Sequence, residues 1–201
     1  SKRWLERQER DHYVKKAQQS AWRSRAAFKL IQILEQDPGL LPRQGVMVDL
    51  GAAPGGWSQV LAEQNKTQQG IVALDILAMD PVAGVDFIQG DFTSDAVYEA
   101  LCQKLEGTKV SLIVSDMAPN LSGNKVVDQA SMMHLLDLAY GFSQEYLAPG
   151  GHFVAKFFQG AGSDQWLKTL RGAFEKVRIK KPDASRSESS EQYVIAKNFK
   201  G

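Results

Sequence analysis

Residues 46–64, VMVDLGAAPGGWSQVLAEQ, decide how the rest of the chain is read. VMVDL (46–50) is a short apolar run of strand length, and the segment from 56 to 64 has helical spacing. Between them the glycine-rich turn DLGAAPGGW (49–57) ends the strand and opens the helix. That is the place where an open α/β sheet gathers a ligand at the carboxyl ends of its strands. Gly51, Gly55 and Gly56 would let the backbone come close to it. The spacing is G-x-x-x-G-G, unlike the G-x-G-x-x-G of a dinucleotide site, and the G-K-[ST] ending of a P-loop is absent.

Outward from this turn, short apolar runs alternate with longer amphipathic ones. IVALDI (71–76), VDFIQGD (85–91), VSLIVSD (110–116) and HFVAKFF (152–158) read as strands, and 56–64, 94–106 and 128–147 as helices. The alternation predicts an α/β fold with a mostly parallel sheet covered on both faces by helices. Upstream, SRAAFKLIQILEQ (24–36) places Ala27, Leu30, Ile31 and Leu34 at helical spacing behind a Ser24 N-cap, with Pro38-Gly39 as a stop and Lys29 off the buried stripe. Downstream, KVRIKK (176–181) and EQYVIA (191–196) add two strands, for seven in all. PDASRSESS between them is too short for a parallel crossover, so the last strand is predicted antiparallel.

The composition, 43% hydrophobic and 23% charged over 201 residues, is that of one soluble domain: 1–36 a basic helical segment, 45–201 the core. The lone Cys102 excludes an intrachain disulfide, and no run resembles a signal peptide or a membrane span, which predicts a cytoplasmic protein. His12, His134 and His152 form no metal-ligand pattern with Cys102, so no metal is expected. Charge is uneven: residues 1–30 carry nine Lys/Arg against three Asp/Glu, 31–164 six against sixteen, and 165–201 nine against four. Basic ends around an acidic middle suit a polyanion such as nucleic acid at the termini and a cationic or metal-bound ligand in the core, or else solvated helix faces.

Carboxylates recur where the strands end: Asp49, Asp75, Asp91 and Asp116. No Lys or Arg lies in the glycine turn or directly beside it in sequence, so the pocket would repel a phosphate and accept a cation. S-adenosyl-L-methionine has the required groups. Asp75 would take the ribose hydroxyls, Asp91 the adenine amine, and the turn from Gly51 to Trp57 the methionine end. Asp residues that merely end strands are the alternative.

Lys156 interrupts a strand that is otherwise apolar on both faces. It lies near the carboxyl end of its strand, at the edge where Asp116 ends the fourth. With the antiparallel final strand beside it, as in the sheet order of methyltransferases, Glu191 reaches the same edge, strands being about 4.8 Å apart. Lys29 would close the group from the first helix. A satisfied ion pair is one explanation of such a lysine. The other is chemistry: a ribose 2′-hydroxyl must be oriented and deprotonated to attack a sulfonium methyl, and Lys156 would do both. Trp4, Tyr13 and Trp22 are candidates to stack on bases, with Trp22 better placed to pack under the first helix. Met117, Met132 and Met133 are read as core.

In order along the chain, SRAAFKL, DLGAAPGGWSQ, GDF, SDMAPNLSG, the K-x-FQG part of VAKFFQG, and ASRSESSEQYVIA resemble the FtsJ family of ribosomal RNA 2′-O-methyltransferases. The resemblance runs from about residue 24 to the C-terminus. It implies a Rossmann-like methyltransferase fold, S-adenosyl-L-methionine as cofactor, and a Lys29, Asp116, Lys156 and Glu191 catalytic tetrad. It also implies cofactor contacts at Gly55, Trp57, Asp75, Asp91 and Asp116, to which the reading of the turn adds Gly51 and Gly56 as cofactor-binding. The substrate it implies is a uridine of large-subunit 23S ribosomal RNA, within an assembled particle, acted on by a monomer. Ala155 and Phe158 depart from the valines expected around the lysine, and Glu188 is a second carboxylate near Glu191, which is preferred because it fits S-E-x-Y. The alternatives are a non-catalytic RNA-binding ribosome-assembly factor and a nicotinamide-dependent oxidoreductase.

Overall fold

The computed structural model describes residues 7, 21–181 and 190–201; Trp4, His12, Tyr13 and Glu188 lie outside the described residues. Seven strands, β1 (Val46–Leu50), β2 (Ile71–Asp75), β3 (Val85–Gln89), β4 (Val110–Ser115), β5 (Leu147–Phe158), β6 (Phe174–Lys180) and β7 (Glu191–Phe199), form one sheet in the order β3-β2-β1-β4-β5-β7-β6. The first five are parallel, and β7 runs antiparallel to both β5 and β6. The order reverses beside β1, so the loops after β1 and β4 diverge and leave a crevice at the carboxyl edge.

Among the described residues, five α-helices cover the sheet: α1 (Ala26–Gln36), α2 (Gly56–Gln64), α3 (Asp95–Leu105), α4 (Lys125–Tyr146) and α5 (Ser163–Ala173). Side chains alternate between faces along each strand, and the alternation sorts the core into two layers. Phe153, Ala155 and Phe157 of β5, with Val194 and Ala196 of β7, pack with Leu101, Leu136, Phe142 and Trp166 from α3, α4 and α5. Val154, Tyr193 and Ile195 point the other way and pack with Leu30, Ile33, Val60 and Leu61 from α1 and α2. By the same parity Lys156 belongs to the α1 face. β5 begins at Leu147, earlier than the apolar run suggests, with a register shift against β4 between Val110 and Leu112.

α1 differs from its sequence reading. It starts at Ala26, its N-cap position is Arg25, whose side chain makes no capping hydrogen bond, and Ser24 Oγ is buried without a hydrogen-bond partner among the described residues. Gly56 explains the displacement, since a Cβ there would lie 2.5 Å from that hydroxyl. The buried stripe is also rotated: Phe28, Lys29 and Ile33 are buried with Ala27, Leu30 and Leu34, while Ile31 is half-buried. Lys29, predicted off the stripe, is turned inward because the sheet below offers it a carboxylate. By contrast α4 is capped as a helix start should be, Asn124 accepting from the amides of Val126 and Val127 at 3.0 and 3.2 Å.

Candidate active site

Four elements deliver the charged group. Asp116 follows β4, its amide donating to Leu50 O at 3.0 Å. Lys156 is two residues from the end of β5, Glu191 opens β7, and Lys29 comes down from α1. Lys156 Nζ lies 3.1 Å from Asp116 Oδ1 and 3.0 Å from Glu191 Oε1, and Lys29 Nζ lies 3.3 Å from Glu191 Oε2. The four predicted catalytic residues are thus one chain of alternating charge, with side chains 10–22% exposed.

Burial alone would lower the pKa of Lys156, but the charges and hydrogen bonds of Asp116 and Glu191 outweigh it and hold the ammonium above the ordinary lysine value. Glu191 is the mirror case. Burial would raise its pKa, yet Lys156 and Lys29 bring it below the ordinary glutamate range.

Tyr193 was not singled out from sequence. It lies two residues from Glu191 on the same face, opposite Lys156 in the β5–β7 register, and is fully buried. Its hydroxyl donates to Asp116 Oδ1 at 2.7 Å, the oxygen that Lys156 also engages. Its ring carries Lys29 Nζ at 5.9 Å and tilts against Trp57 at 5.6 Å. Period-two counting from Glu191 was the signal for it.

Beside this group opens a cavity of about 910 Å³. Its walls are Gly51 and Ala53 of the glycine turn, Leu74 and Asp75 at the end of β2, Ile76 and Leu77 after it, Gly90 to Thr93 after β3, Asp116 to Asn120 after β4, and Ala130, Ser131, His134 and Leu135 of α4. Of the residues read as cofactor contacts, Gly51, Asp75, Asp91 and Asp116 line this cavity. Gly51 has φ +76°, and a Cβ on it would meet Met117 N at 2.8 Å, so only glycine lets the two loops approach this closely. Met117, read as core, is a half-buried part of the wall, whereas Met132 is buried in the core.

Gly55, Gly56 and Trp57 are not in the wall. Gly55 faces Arg23 and Met79, Gly56 faces Ser24 and Ala27, and Trp57 is buried with its indole N–H donating to Ala26 O at 2.7 Å. The turn's second half holds α1 in place, and so positions Lys29. Asp49 is absent from the wall as well: strand parity turns it to the α2 side, where Ser58 Oγ donates to it at 2.7 Å. Burial pushes its carboxyl up to about 7; the Ser58 bond opposes this, while Asp116 and Asp75 add to it.

Asp75 spends one lone pair of each oxygen on the protein, accepting from Ala53 N at 2.9 Å and Leu77 N at 2.8 Å. The remaining lone pairs are available to hydroxyl donors. Asp91 Oδ1 accepts from the hydroxyl and amide of Thr93, which bring its pKa below the ordinary aspartate value. One positive group does lie beside the glycine turn: Arg23, more than thirty residues upstream, reaches Pro54 O at 3.2 Å from outside. Among the described residues the cavity lining contains no Lys or Arg. Among the described residues no group of His, Cys, Asp and Glu could hold a metal. His152 Nδ1 instead accepts from the Asn198 amide at 3.1 Å.

A family model described as FtsJ-like methyltransferase matches residues 22–199. A protein of Cellvibrio japonicus named ribosomal RNA large subunit methyltransferase E is 51% identical over 205 residues, covering 100% of this chain and 95% of that protein. One of Marinobacter nauticus with the same name is 49% identical over 200 residues, covering 100% of this chain and 96% of that protein. A crystal structure described as a ribosomal RNA methyltransferase of Plasmodium falciparum superposes with a TM-score of 0.78 at 31% identity, over 90% of this chain and 100% of that one.

Proposed function

We propose a reaction for this site from one premise: the chain belongs to the FtsJ-like methyltransferase family. It is an enzyme that methylates a ribose 2′-hydroxyl of ribosomal RNA with S-adenosyl-L-methionine as donor. The cavity suits that donor on its own terms. Asp75, Asp91 and Asp116 offer acceptors to hydroxyl, amine and ammonium groups, and no Lys or Arg in the wall opposes a cation. Bound there, the donor supplies an electrophilic methyl on a sulfonium; its transfer to the 2′-oxygen releases the hydroxyl proton and the thioether product.

The observation that carries the reading is the alternating chain Lys29–Glu191–Lys156–Asp116, which meets this cavity at Asp116. Two ammonium and two carboxylate groups sum to no net charge, so the cluster can hold a hydroxyl by hydrogen bonds while tolerating a cation next to it. Lys156 orients the 2′-oxygen and is the group assigned to take its proton. Asp116 and Glu191 keep it charged in the free enzyme, so taking the proton would require that a bound cation and the exclusion of water first lower its pKa. Asp116 and Glu191 fix the ammonium from two sides, Tyr193 fixes Asp116, and Lys29 fixes Glu191.

RNA would approach along the sheet edge beyond β7. Lys180 pairs with Tyr193 and Lys176 with Lys197, so both share the sheet face of Lys156. The substrate assigned is a uridine of 23S ribosomal RNA within the large-subunit particle, the enzyme acting as a monomer of one domain in the cytoplasm. Neither the oxidoreductase nor the non-catalytic alternative gains support from any feature of the site. The direct test incubates the protein and labelled S-adenosyl-L-methionine with large subunits from cells lacking the enzyme, then maps ribose methylation. One new 2′-O-methyl group is expected; label on a base, or none, would overturn the reading.

A further inference from the structure

We propose that Arg23 is a positioning residue for the cofactor cavity: its guanidinium ties the glycine-rich turn to the loop after β2 and thereby sets the affinity for S-adenosyl-L-methionine. The identity of the ligand rests on the methyltransferase reading; the clasp itself rests on geometry. Arg23 Nη1 donates to Pro54 O at 3.2 Å and to Asp80 O, and Nη2 donates to Pro81 O at 2.6 Å. Three carbonyls from two segments thus converge on one rigid fork, an arrangement that a lysine's single ammonium cannot reproduce.

The two segments joined are the two walls that cradle a ligand: Gly51 and Ala53 on one side, Asp75, Ile76 and Leu77 on the other. Asp75 links the same walls from the cavity side by accepting from the Ala53 amide, and it braces its own loop by accepting from the Leu77 amide. One carboxylate therefore gathers amides from within, and one guanidinium gathers carbonyls from without. Ile76 and Leu77 are 60% and 65% exposed, so they form an apolar wall only while the loop carrying them is held in place.

Two further contacts show that the arginine is itself placed. Its backbone amide donates to Gln59 Oε1 at 2.9 Å, anchoring it to α2. Gly55 has φ +121°, and a Cβ there would stand 2.9 Å from Nη1 and 3.1 Å from Cδ, so the turn leaves room for the side chain to pass. A basic residue in a basic N-terminal stretch invites the reading of a phosphate contact. The fork of Arg23 is instead turned onto carbonyls of the cofactor loops.

The test measures S-adenosyl-L-methionine affinity by calorimetry, steady-state kinetics on undermethylated large subunits, and hydrogen exchange over residues 76–82, for the parent, Arg23→Ala and Arg23→Lys. Arg23→Ala is expected to raise the cofactor Kd about tenfold or more and to speed exchange in the loop, with KM for the particle and kcat at saturating cofactor within about threefold. Arg23→Lys should recover only part of the affinity. An unchanged cofactor Kd with a raised particle KM would make Arg23 an RNA contact and overturn the proposal. So would an unchanged Kd with only a lowered Tm. A parent protein that binds no S-adenosyl-L-methionine would instead refute the methyltransferase reading.

Discussion

Replacing Lys156 with alanine removes the ammonium that stands 3.1 Å from Asp116 and 3.0 Å from Glu191, leaving the two acids facing each other across the gap. Breaking a buried ion pair from one side costs about 3–5 kcal/mol. Lys29 still neutralises Glu191 at 3.3 Å and both acids keep some solvent contact, which points to the lower end, about 3 kcal/mol. At about 2–4 °C per kcal/mol for a chain of this size, Tm should fall by about 6–12 °C. The loss in rate should be far larger, about 10²–10⁴-fold, because the oriented group and the proton acceptor disappear together. The assay is single-turnover methyl transfer to undermethylated large subunits well below the variant's Tm, with cofactor binding measured separately to show that the cavity survives. Lys156→Arg separates the two contributions, since it restores the ion pairs and most of the Tm but cannot release a proton. Lys156→Ala turning over within threefold of the parent would refute the assigned role, and a fast Lys156→Arg would refute proton acceptance. The pH profile supplies an independent check. A lysine held above its ordinary pKa in the free enzyme predicts a kcat/KM that keeps rising beyond pH 9, whereas a plateau from pH 6 to 9 would hand the proton to a carboxylate.

Asp75→Ala removes the side-chain hydrogen bonds to the amides of Ala53 and Leu77 and should weaken S-adenosyl-L-methionine binding by about 100-fold with RNA binding unchanged, read by calorimetry and filter binding. Asp49, held near pKa 7 by burial, binds its proton more tightly folded than unfolded, so its effect on stability is adverse and grows as pH rises from about 4 to about 7. Asp49→Asn should therefore gain on the parent over that interval, by up to about 4 kcal/mol in urea denaturation at pH 8 relative to pH 4. Glu191 and Lys156 act in the usual sense. The first contributes stability that is lost as pH falls below the glutamate range, the second stability that is lost as pH climbs above the lysine range. Lys176→Glu and Lys180→Glu should each weaken RNA binding and lower the salt slope by about 1 without changing cofactor affinity; an unchanged slope would move the RNA to another face.

What the sequence made legible follows the reach of its periodicities. The strand–turn–helix of 46–64 could be read because β1 is a short run buried on both faces and α2 buries a helically spaced stripe, and Lys156 stood out because it violates an apolar run. Asp49 and Asp75 look equivalent in sequence, each within a strand-ending D-[LI]. They part because Asp75 is the last residue of β2 and turns into the loops, while Asp49 precedes Leu50 within β1 and is committed by parity to the α2 face. Lys29 was misjudged for a related reason. A stripe drawn from apolar residues alone has no place for a charge whose partner arrives from 162 residues away. Arg23 was beyond reach, since its acceptors are backbone carbonyls 31 to 58 residues distant and any residue type supplies a carbonyl. Sequence pattern therefore reports which face a side chain must take, and it reports a partner only when that partner's own chemistry is distinctive. Tyr193 shows how far parity alone extends: counting two from Glu191 places a phenol on the face of Lys156, within reach of Asp116, before any coordinate is known.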